Sequence, residues 1–279
     1  LERRASVSLA MIYALRMLGL FMVLPVFMIE ARQYEGGTDA SQVGLAMGLY
    51  GLVQAGLQMP FGLAADRWGR KRVIVLGLLL FALGSVMAAL ATSVTGLAWG
   101  RAVQGGGAIS AAVTALLADQ TRDEVRTKGM ALIGGSIGLT FALSLVIGPL
   151  LSSWGGLPLI FWTTCGLALA GVMVVALWTP AETYRPATHA PDRAEHSTWR
   201  ILLTPELLRL DVGVFILYTV QIATWVAVPA LLVQAGLAKA QHSWLYLPVV
   251  LLSFVFMGMT LFRLERKGLL RPLFLACIA

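Results

Sequence analysis

The sequence predicts an all-α polytopic membrane protein, and two observations lead to that prediction. Apolar residues make up 58% of the 279-residue chain and charged residues only 13%, with a mean hydropathy of +0.80. Such a composition excludes an ordinary soluble domain. Long runs free of charge also recur along the chain, and about 20 helical residues suffice to cross a hydrocarbon core of about 30 Å. We therefore expect the lipid bilayer to surround most of the chain.

The apolar runs predict eight complete membrane spans and the start of a ninth near Leu269. They cover approximately residues 7–29, 41–64, 73–91, 96–118, 128–151, 157–179, 212–234 and 243–262. This layout divides the chain into an N-terminal six-helix transmembrane bundle (1–180), a polar proline-rich linker (181–205) and a partial C-terminal transmembrane bundle (206–279). The chain opens on Leu1 and stops at Ala279 inside an apolar run, so we expect the natural protein to extend beyond both ends.

The basic residues predict which ends of the spans face the cytoplasm. Most of the 21 lie in the N-terminus and in the loops that follow even-numbered spans, whereas only Arg32 and Lys239 lie in the loops on the other side. Short loops rich in Lys and Arg stay in the cytoplasm. The sequence therefore predicts a multi-pass protein of the bacterial inner membrane with a cytoplasmic N-terminus. The same distribution explains the net charge of +7 without a nucleic-acid partner.

Nothing in the sequence indicates a metal, a cofactor or an enzyme. Both cysteines fall inside apolar spans and the three histidines lie in connecting segments, and no metal-ligand spacing, phosphate-binding loop or nucleophile elbow occurs. These residues are Cys165, Cys277, His189, His196 and His242. We therefore expect the protein to bind no metal and to use no cofactor. A membrane-embedded enzyme or sensor is the disfavoured alternative.

The densest charge cluster, the segment from Gly62 to Arg72, lies between the second and third predicted spans. It reads G-L-A-A-D-R-W-G-R-K-R, and four basic residues in one tight connection place it on the cytoplasmic side. Asp119 ends the fourth span on that side. We therefore expect Asp66, Arg70 and Asp119 to form an ion-paired cluster, with a purely topological charge cluster as the alternative.

Two cations fall inside predicted spans. A charged residue at the centre of a membrane helix costs about 2.5 kcal/mol or more, and it usually faces a cavity or a partner. Arg16 lies deep in the first span with Tyr13 on the same face, and we expect it to face a cavity or to be paired. Arg101 lies in the fourth span three residues before Gln104. The alternative for Arg101 is snorkelling to the lipid headgroups.

The acidic residues all lie in loops or at span ends, so no span has a central carboxylate that could carry a proton. Glu30 and Asp211 are the nearest candidates. Three helix faces combine polar and aromatic side chains, which line a cavity or hold helices together. They are Tyr50, Gln54 and Gln58 on the second span, Ser136, Thr140 and Ser144 on the fifth, and Tyr218, Gln221 and Trp225 on the seventh.

Glycines and prolines predict close helix packing and one kink. Gly44 and Gly48, Gly134 and Gly138, and the run Gly105–Gly107 have the small-residue spacing that lets membrane helices approach closely. Gly148 and Pro149 fall near the end of the fifth span. Because proline removes a backbone donor and clashes with the preceding turn, we expect a helix kink there.

Two of these motifs resemble signatures of the major facilitator superfamily. The spacing G-x-x-x-D-R-x-G-R-K, formed by Gly62, Asp66, Arg67, Gly69, Arg70 and Lys71, resembles that family's loop 2–3 signature. The order R-x-x-Q-G-x-G-A from Arg101 to Ala108 resembles its fourth-helix motif. Gly148-Pro149 is similar to the fifth-helix signature of the antiporter branch, although Ser144 stands where a glycine is typical and Ser152-Ser153 replaces a trailing Gly-Gly.

The resemblance implies a major facilitator fold with a complete N-terminal bundle and the first two to three helices of the second. It also implies a monomeric transporter that exports drugs or small metabolites in exchange for protons by alternating access. By resemblance, Arg101 is linked to proton coupling, and Asp66 caps the N-terminus of the eleventh helix to latch the outward-facing state. The alternatives are a sugar or metabolite permease of the same superfamily and a truncated membrane protein that transports nothing.

Overall fold

The computed structural model describes residues 2–181, 204–237, 241, 244–253 and 255, and this part of the chain is helical. The helices are α1 (Glu2–Val23), α2 (Phe27–Glu30), a 3-10 turn (Ala31–Gln33), α3 (Ala40–Trp68), α4 (Arg70–Ala89), α5 (Val94–Gly105), α6 (Ser110–Gln120), α7 (Asp123–Leu177) and α8 (Pro205–Gln234). A shorter apolar helix, Trp244–Ser253, follows. The predicted all-α class is confirmed. Most of the linker, part of the eighth span and the ninth span lie outside the described residues.

Length and composition identify the helices that can cross a membrane. Among the described residues five runs qualify: Glu2–Val23, Arg70–Ala89, Val94–Gln120, Lys128–Leu177 and Leu207–Gln234. The 29-residue α3 is also long enough to cross.

Glycines mark two turns of the bundle. Gly69 has φ +96° and separates α3 from α4 by itself, so the predicted charged hairpin is one residue long. Inside α7, Gly155 and Gly156 have non-helical backbone angles, and Gly156 has φ +62°. Glycine adopts positive φ at little cost. The break divides α7 into the predicted fifth and sixth spans.

The fourth span differs from the prediction of one helix over residues 96–118. α5 ends at Gly105 and α6 begins at Ser110. Helices α3 and α4 approach this glycine run so closely that a Cβ on Gly105 would overlap the carbonyl oxygen of Tyr50, and one on Gly107 that of Gly77. The predicted close packing at these glycines is therefore confirmed, and the same run interrupts the helix.

The described bundle packs α1 along α7, and α4 against α5 and α7, while α3 lies against α5. Close approach also occurs at Gly148, where a Cβ would lie 2.5 Å from the carbonyl oxygen of Met22. In contrast, nothing lies within 4 Å of a Cβ built on Gly44, Gly48 or Gly134. The prediction that these three glycines pack helices together is wrong for the described residues, because their helix faces point away from the bundle.

Candidate functional site

The buried centre of the bundle holds a polar cluster that we call the arginine network: Arg16, Tyr50, Gln54, Arg101 and Gln104. Arg16, on α1, is completely buried. Its Nη2 donates a hydrogen bond of 2.9 Å to the Tyr50 hydroxyl and one of 3.3 Å to Gln54 Oε1, both on α3. The first and second spans are thus joined by a guanidinium that binds only neutral groups there.

Arg101 extends this network from α5. Its Nη1 donates to Gln104 Oε1 at 2.9 Å, and its guanidinium carbon lies 4.6 Å from the centroid of the Tyr50 ring. Gln104 Nε2 in turn donates to the hydroxyl of Ser85 on α4 at 2.7 Å. A cation over an aromatic face is attracted by the ring quadrupole. The Tyr50 side chain therefore contacts both arginines, with its hydroxyl on one and its ring face on the other.

Charge is the unusual property of the arginine network. Neither arginine forms an ion pair with a carboxylate in the described part of the chain. Arg16 Nε and Nη1 and Arg101 Nε are buried without a hydrogen-bond partner there. Buried polar groups are normally hydrogen-bonded, and buried charges are normally paired. Two positive charges are thus held in one buried cluster by amide, hydroxyl and aromatic groups.

These positions decide between alternatives that the sequence left open. Arg16 is hydrogen-bonded to neutral groups inside the bundle and does not reach its surface. Arg101 is also buried, so the snorkelling alternative is wrong, because snorkelling would leave the guanidinium exposed. Tyr13, one turn before Arg16, instead donates its hydroxyl proton to the Ser110 side chain at 2.8 Å. Tyr13 therefore joins α1 to α6.

The structure does not gather the predicted cavity residues into one cavity of the described chain. The side chains of Tyr13, Tyr50 and Gln54 form hydrogen bonds to other helices of the N-terminal bundle. Thr140 is buried in the same bundle but donates only to carbonyls of its own helix. Tyr218 is 63% exposed, and Gln221 is exposed on the same helix α8. The side chain of Trp225 lies outside the described residues. The polar faces in the sequence therefore did not predict which neighbouring helix each of them contacts.

The predicted kink residues lie inside a continuous helix. Gly148 and Pro149 lie within α7, whose non-helical residues are Gly155 and Gly156. These two glycines lie in the predicted connection between the fifth span (128–151) and the sixth (157–179), so they are a separate feature from the predicted kink. Whether the axis bends at Pro149 stays a prediction. What the structure assigns to Gly148 is its close approach to α1.

The predicted charge cluster forms at the turn between α3 and α4. Arg70 Nη2 lies 3.4 Å from Asp66 Oδ1, and its Nη1 contacts the Asp119 carboxylate and the carbonyl oxygen of Ala115. Both carboxylates remain about half exposed, at 59% for Asp66 and 52% for Asp119. Water and salt screen such pairs, so each contributes about 1 kcal/mol or less to stability.

Sequence reasoning missed a second role of the basic residues at this end of the bundle. Lys71 Nζ donates to the carbonyl oxygen of Thr179 at 2.9 Å, and Arg4 Nε to that of Trp178 at 2.8 Å. Arg126 Nη2 donates to the carbonyl oxygen of Ala118 at 3.1 Å. The last carbonyls of a helix lack partners and carry partial negative charge. These hydrogen bonds could have been predicted from the sequence, because Lys and Arg side chains close to the ends of predicted helices can reach such carbonyls.

Comparison with known proteins now gives these features a context. Residues 9–279 match the Major Facilitator Superfamily. The chain belongs to this superfamily. It is 42% identical over 277 residues to the inner membrane transport protein YajR of Escherichia coli, covering 99% of this chain and 61% of YajR. This member of the superfamily is therefore a multi-pass membrane protein of a transporter family, and its chain spans about three fifths of the length of YajR.

Two further comparisons concern export and fold. The chain is 35% identical over 176 residues to the multidrug resistance protein MdtH of Photorhabdus laumondii, covering 61% of this chain and 42% of that protein. The crystal structure of a bacterial homologue of the human lysosomal transporter Spinster superposes with a TM-score of 0.73 at 16% identity. That match covers 95% of this chain and 63% of the other. The second likeness shows the fold alone.

Proposed function

We propose that the complete protein is a monomeric exporter of the bacterial inner membrane. It would move drugs or small metabolites outward in exchange for protons, by alternating access of two helix bundles. The observation that carries this proposal is the arginine network, which holds two unpaired positive charges inside the N-terminal bundle. The multidrug resistance name of one relative supports the direction of transport.

The electrostatics of that network support the proposed proton coupling. Hydroxyl, amide and aromatic groups stabilise a guanidinium but do not cancel its charge. A carboxylate that approaches the network is therefore attracted while ionised and released once protonated. We expect this carboxylate on the C-terminal bundle, outside the described residues. The protonation state of this carboxylate would then determine whether the two bundles attract each other near Arg16 and Arg101.

The charged turn supplies the second proposed element, a conformational latch. The Asp66 carboxylate is 59% exposed although Arg70 contacts it, so a second group has access to it. Helix N-termini favour a carboxylate by about 0.3–1 kcal/mol. We propose that Asp66 caps a helix of the second bundle when the transporter faces outward, and that this end lies in the cytoplasm because Lys and Arg are concentrated there.

The test of coupling uses the full-length protein in vesicles with an imposed pH gradient and a panel of fluorescent dyes and sugars. We expect dye efflux driven by the gradient, and we expect R101Q to abolish the dependence on it. The matched control is R72Q, because Arg72 is exposed at the basic end of the bundle. Sugar uptake together with protons, or dye transport indifferent to the gradient, would overturn the proposal in favour of a permease.

The test of the latch is D66N in the same full-length protein. We expect the substitution to lower the outward-facing population and to slow transport, since a neutral amide interacts more weakly with a helix N-terminus. Distances between spin labels on the two bundles report the populations directly. Unchanged populations together with unchanged transport would refute the latch and leave Asp66 as part of a topological charge cluster.

A further inference from the structure

The opposite end of the bundle from the basic turn contains two adjoining cavities built around one buried acid. Their volumes are about 360 and 490 Å³, and both are lined by Glu30, Gln33, Gly155 and Gly156. Cavities of roughly 300–1,000 Å³ are the size of small-molecule sites. They lie where α2 and its 3-10 turn meet the break in α7.

Glu30 is more than nine-tenths buried, and two hydrogen bonds hold its carboxylate in a fixed orientation. Ser152 donates its hydroxyl proton to Oε1 at 2.9 Å, and Gln33 Nε2 donates to Oε2 at 3.4 Å. A Cβ built on Gly156 would lie 3.7 Å from the same Oε2. The absence of a side chain at Gly156 therefore leaves space beside this oxygen, on the side where both cavities open.

The remaining walls combine aromatic, aliphatic and weakly polar side chains. Trp154 and Ser153 line the smaller cavity, whereas Tyr34 and Thr92 line the larger. Burial, and to a lesser extent the nearby Glu30 carboxylate, raise the pKa of Tyr34, so its phenol stays neutral and keeps its proton. Aromatic faces near a carboxylate are suited to an organic cation, which each can attract.

The size and the ligand set argue against a metal ion. Hard cations such as Ca²⁺ take six to eight oxygen ligands at short distances, and the described residues contain no group of three or more acidic, histidine or cysteine side chains that could hold a metal. A volume of several hundred cubic ångströms is also far more than one ion fills. One carboxylate with hydroxyl and aromatic neighbours fits a molecule with a single positive charge.

The charge around the cavities agrees with a cationic ligand. The described residues of this end include three acidic side chains, Glu30, Glu35 and Asp39, and one basic side chain, Arg32. A concave surface with one sign of charge raises the local concentration of the opposite sign. The basic turn, with its excess of Lys and Arg, lies at the other end of the bundle.

We propose that these cavities bind a protonated organic amine whose ammonium group contacts Glu30. The ammonium donates to Oε2 beside Gly156, and Ser152 keeps the carboxylate oriented through Oε1. The apolar part of the amine packs against Trp154 or Tyr34. The site goes beyond the proposed function, since binding at this end requires neither transport nor proton coupling.

The test measures binding by calorimetry to the purified full-length protein, with no gradient present. Tryptamine is the cationic probe, and tryptophol, which has a hydroxyl where tryptamine has the ammonium, is its neutral counterpart. We expect tryptamine to bind at least about tenfold more tightly than tryptophol, because a charged hydrogen bond is roughly twice as strong as a neutral one. Equal binding of the two probes, or no binding of tryptamine, would overturn the proposal.

Two variants locate the site. E30Q is expected to reduce tryptamine affinity by about tenfold or more, whereas the control E35Q, at an exposed carboxylate of the same end, leaves it within about twofold. Equal losses in both variants would indicate a general surface-charge effect and would refute the assignment to Glu30. If E30Q does not fold, S152A replaces it, with an expected smaller loss of affinity. Efflux is measured separately, so failure of this site and failure of the exporter proposal are distinguishable.

Discussion

Replacing Gln104 with leucine tests whether the arginine network depends on the bridge that this amide forms between Arg101 and Ser85. Gln104 accepts the hydrogen bond of Arg101 and donates to Ser85, and it is fully buried. Leucine has a similar volume, so Q104L removes two hydrogen bonds while leaving no large cavity. Arg101 would then keep the Tyr50 ring as its contact in the described chain.

The expected magnitude follows from the two bonds that are lost. A hydrogen bond with a charged partner contributes about 1.5–3 kcal/mol, and a neutral one between membrane helices contributes about 0.6 kcal/mol on average. Q104L is therefore expected to lower the free energy of unfolding by about 2–4 kcal/mol. S85A keeps the bond between Arg101 and Gln104 but removes two neutral bonds, the one from Gln104 and the one that the Ser85 hydroxyl donates to the Phe81 carbonyl oxygen. It is therefore expected to cost about 1 kcal/mol.

The assay is equilibrium unfolding of the full-length protein in mixed micelles, with wild type, S85A and Q104L compared under the same conditions. A loss in Q104L that clearly exceeds the loss in S85A supports the bond between Arg101 and Gln104. If both variants lose the same small amount, the guanidinium is held by other contacts, and the reasoning from the buried bridge is refuted.

Two further predictions concern packing and the start of the linker. G84A is expected to lower the free energy of unfolding by about 1–3 kcal/mol, because its Cβ would lie 2.6 Å from a carbonyl oxygen of α5, whereas G166A, with open space around it, is expected to be neutral or slightly stabilising. An equal effect in the two glycine variants in the same unfolding assay would contradict the close approach of α4 and α5. K71M should increase chymotrypsin cleavage within residues 178–181 several-fold, because it removes a lysine bound to a carbonyl of that segment. The exposed Arg72 gives the control R72M, and cleavage at the wild-type rate in K71M would show that the lysine does not hold the linker.

The sequence was sufficient to predict the helical fold and the charged turn because both follow from one-dimensional patterns. Charge-free runs show where helices can cross, and Gly69 between Trp68 and Arg70 allows a turn of one residue. The contact of Arg70 with Asp66 was also predictable, since the two residues flank the same short turn. Its contact with Asp119 followed from the two helix ends sharing one side of the membrane.

The rotation of each helix about its axis could not be predicted in the same way. A membrane helix is apolar on nearly all sides, so its hydrophobic pattern does not show which face meets a neighbour. The polar faces on α3 and α8 looked equivalent in the sequence, yet Tyr50 is buried against two arginines and Tyr218 is 63% exposed. The contact of Glu30 with Ser152 joins residues 122 positions apart, and no local pattern indicates it.

The charged residues of the bundle differ in whether the described chain supplies a group that compensates their charge. At the basic end, Lys71 and Arg126 bind carbonyls at helix ends, and at the opposite end Glu30 lies beside the start of the sixth span. In both places the sign of the side chain complements the helix dipole, so these charges already have partners that stabilise the bundle. Arg16 and Arg101 have no such complement among the described residues. Because only an uncompensated charge gains substantially from an approaching carboxylate, substitutions of Lys71 or Arg126 should change mainly stability, whereas substitutions of Arg16 or Arg101 should also change the coupling of transport to protons.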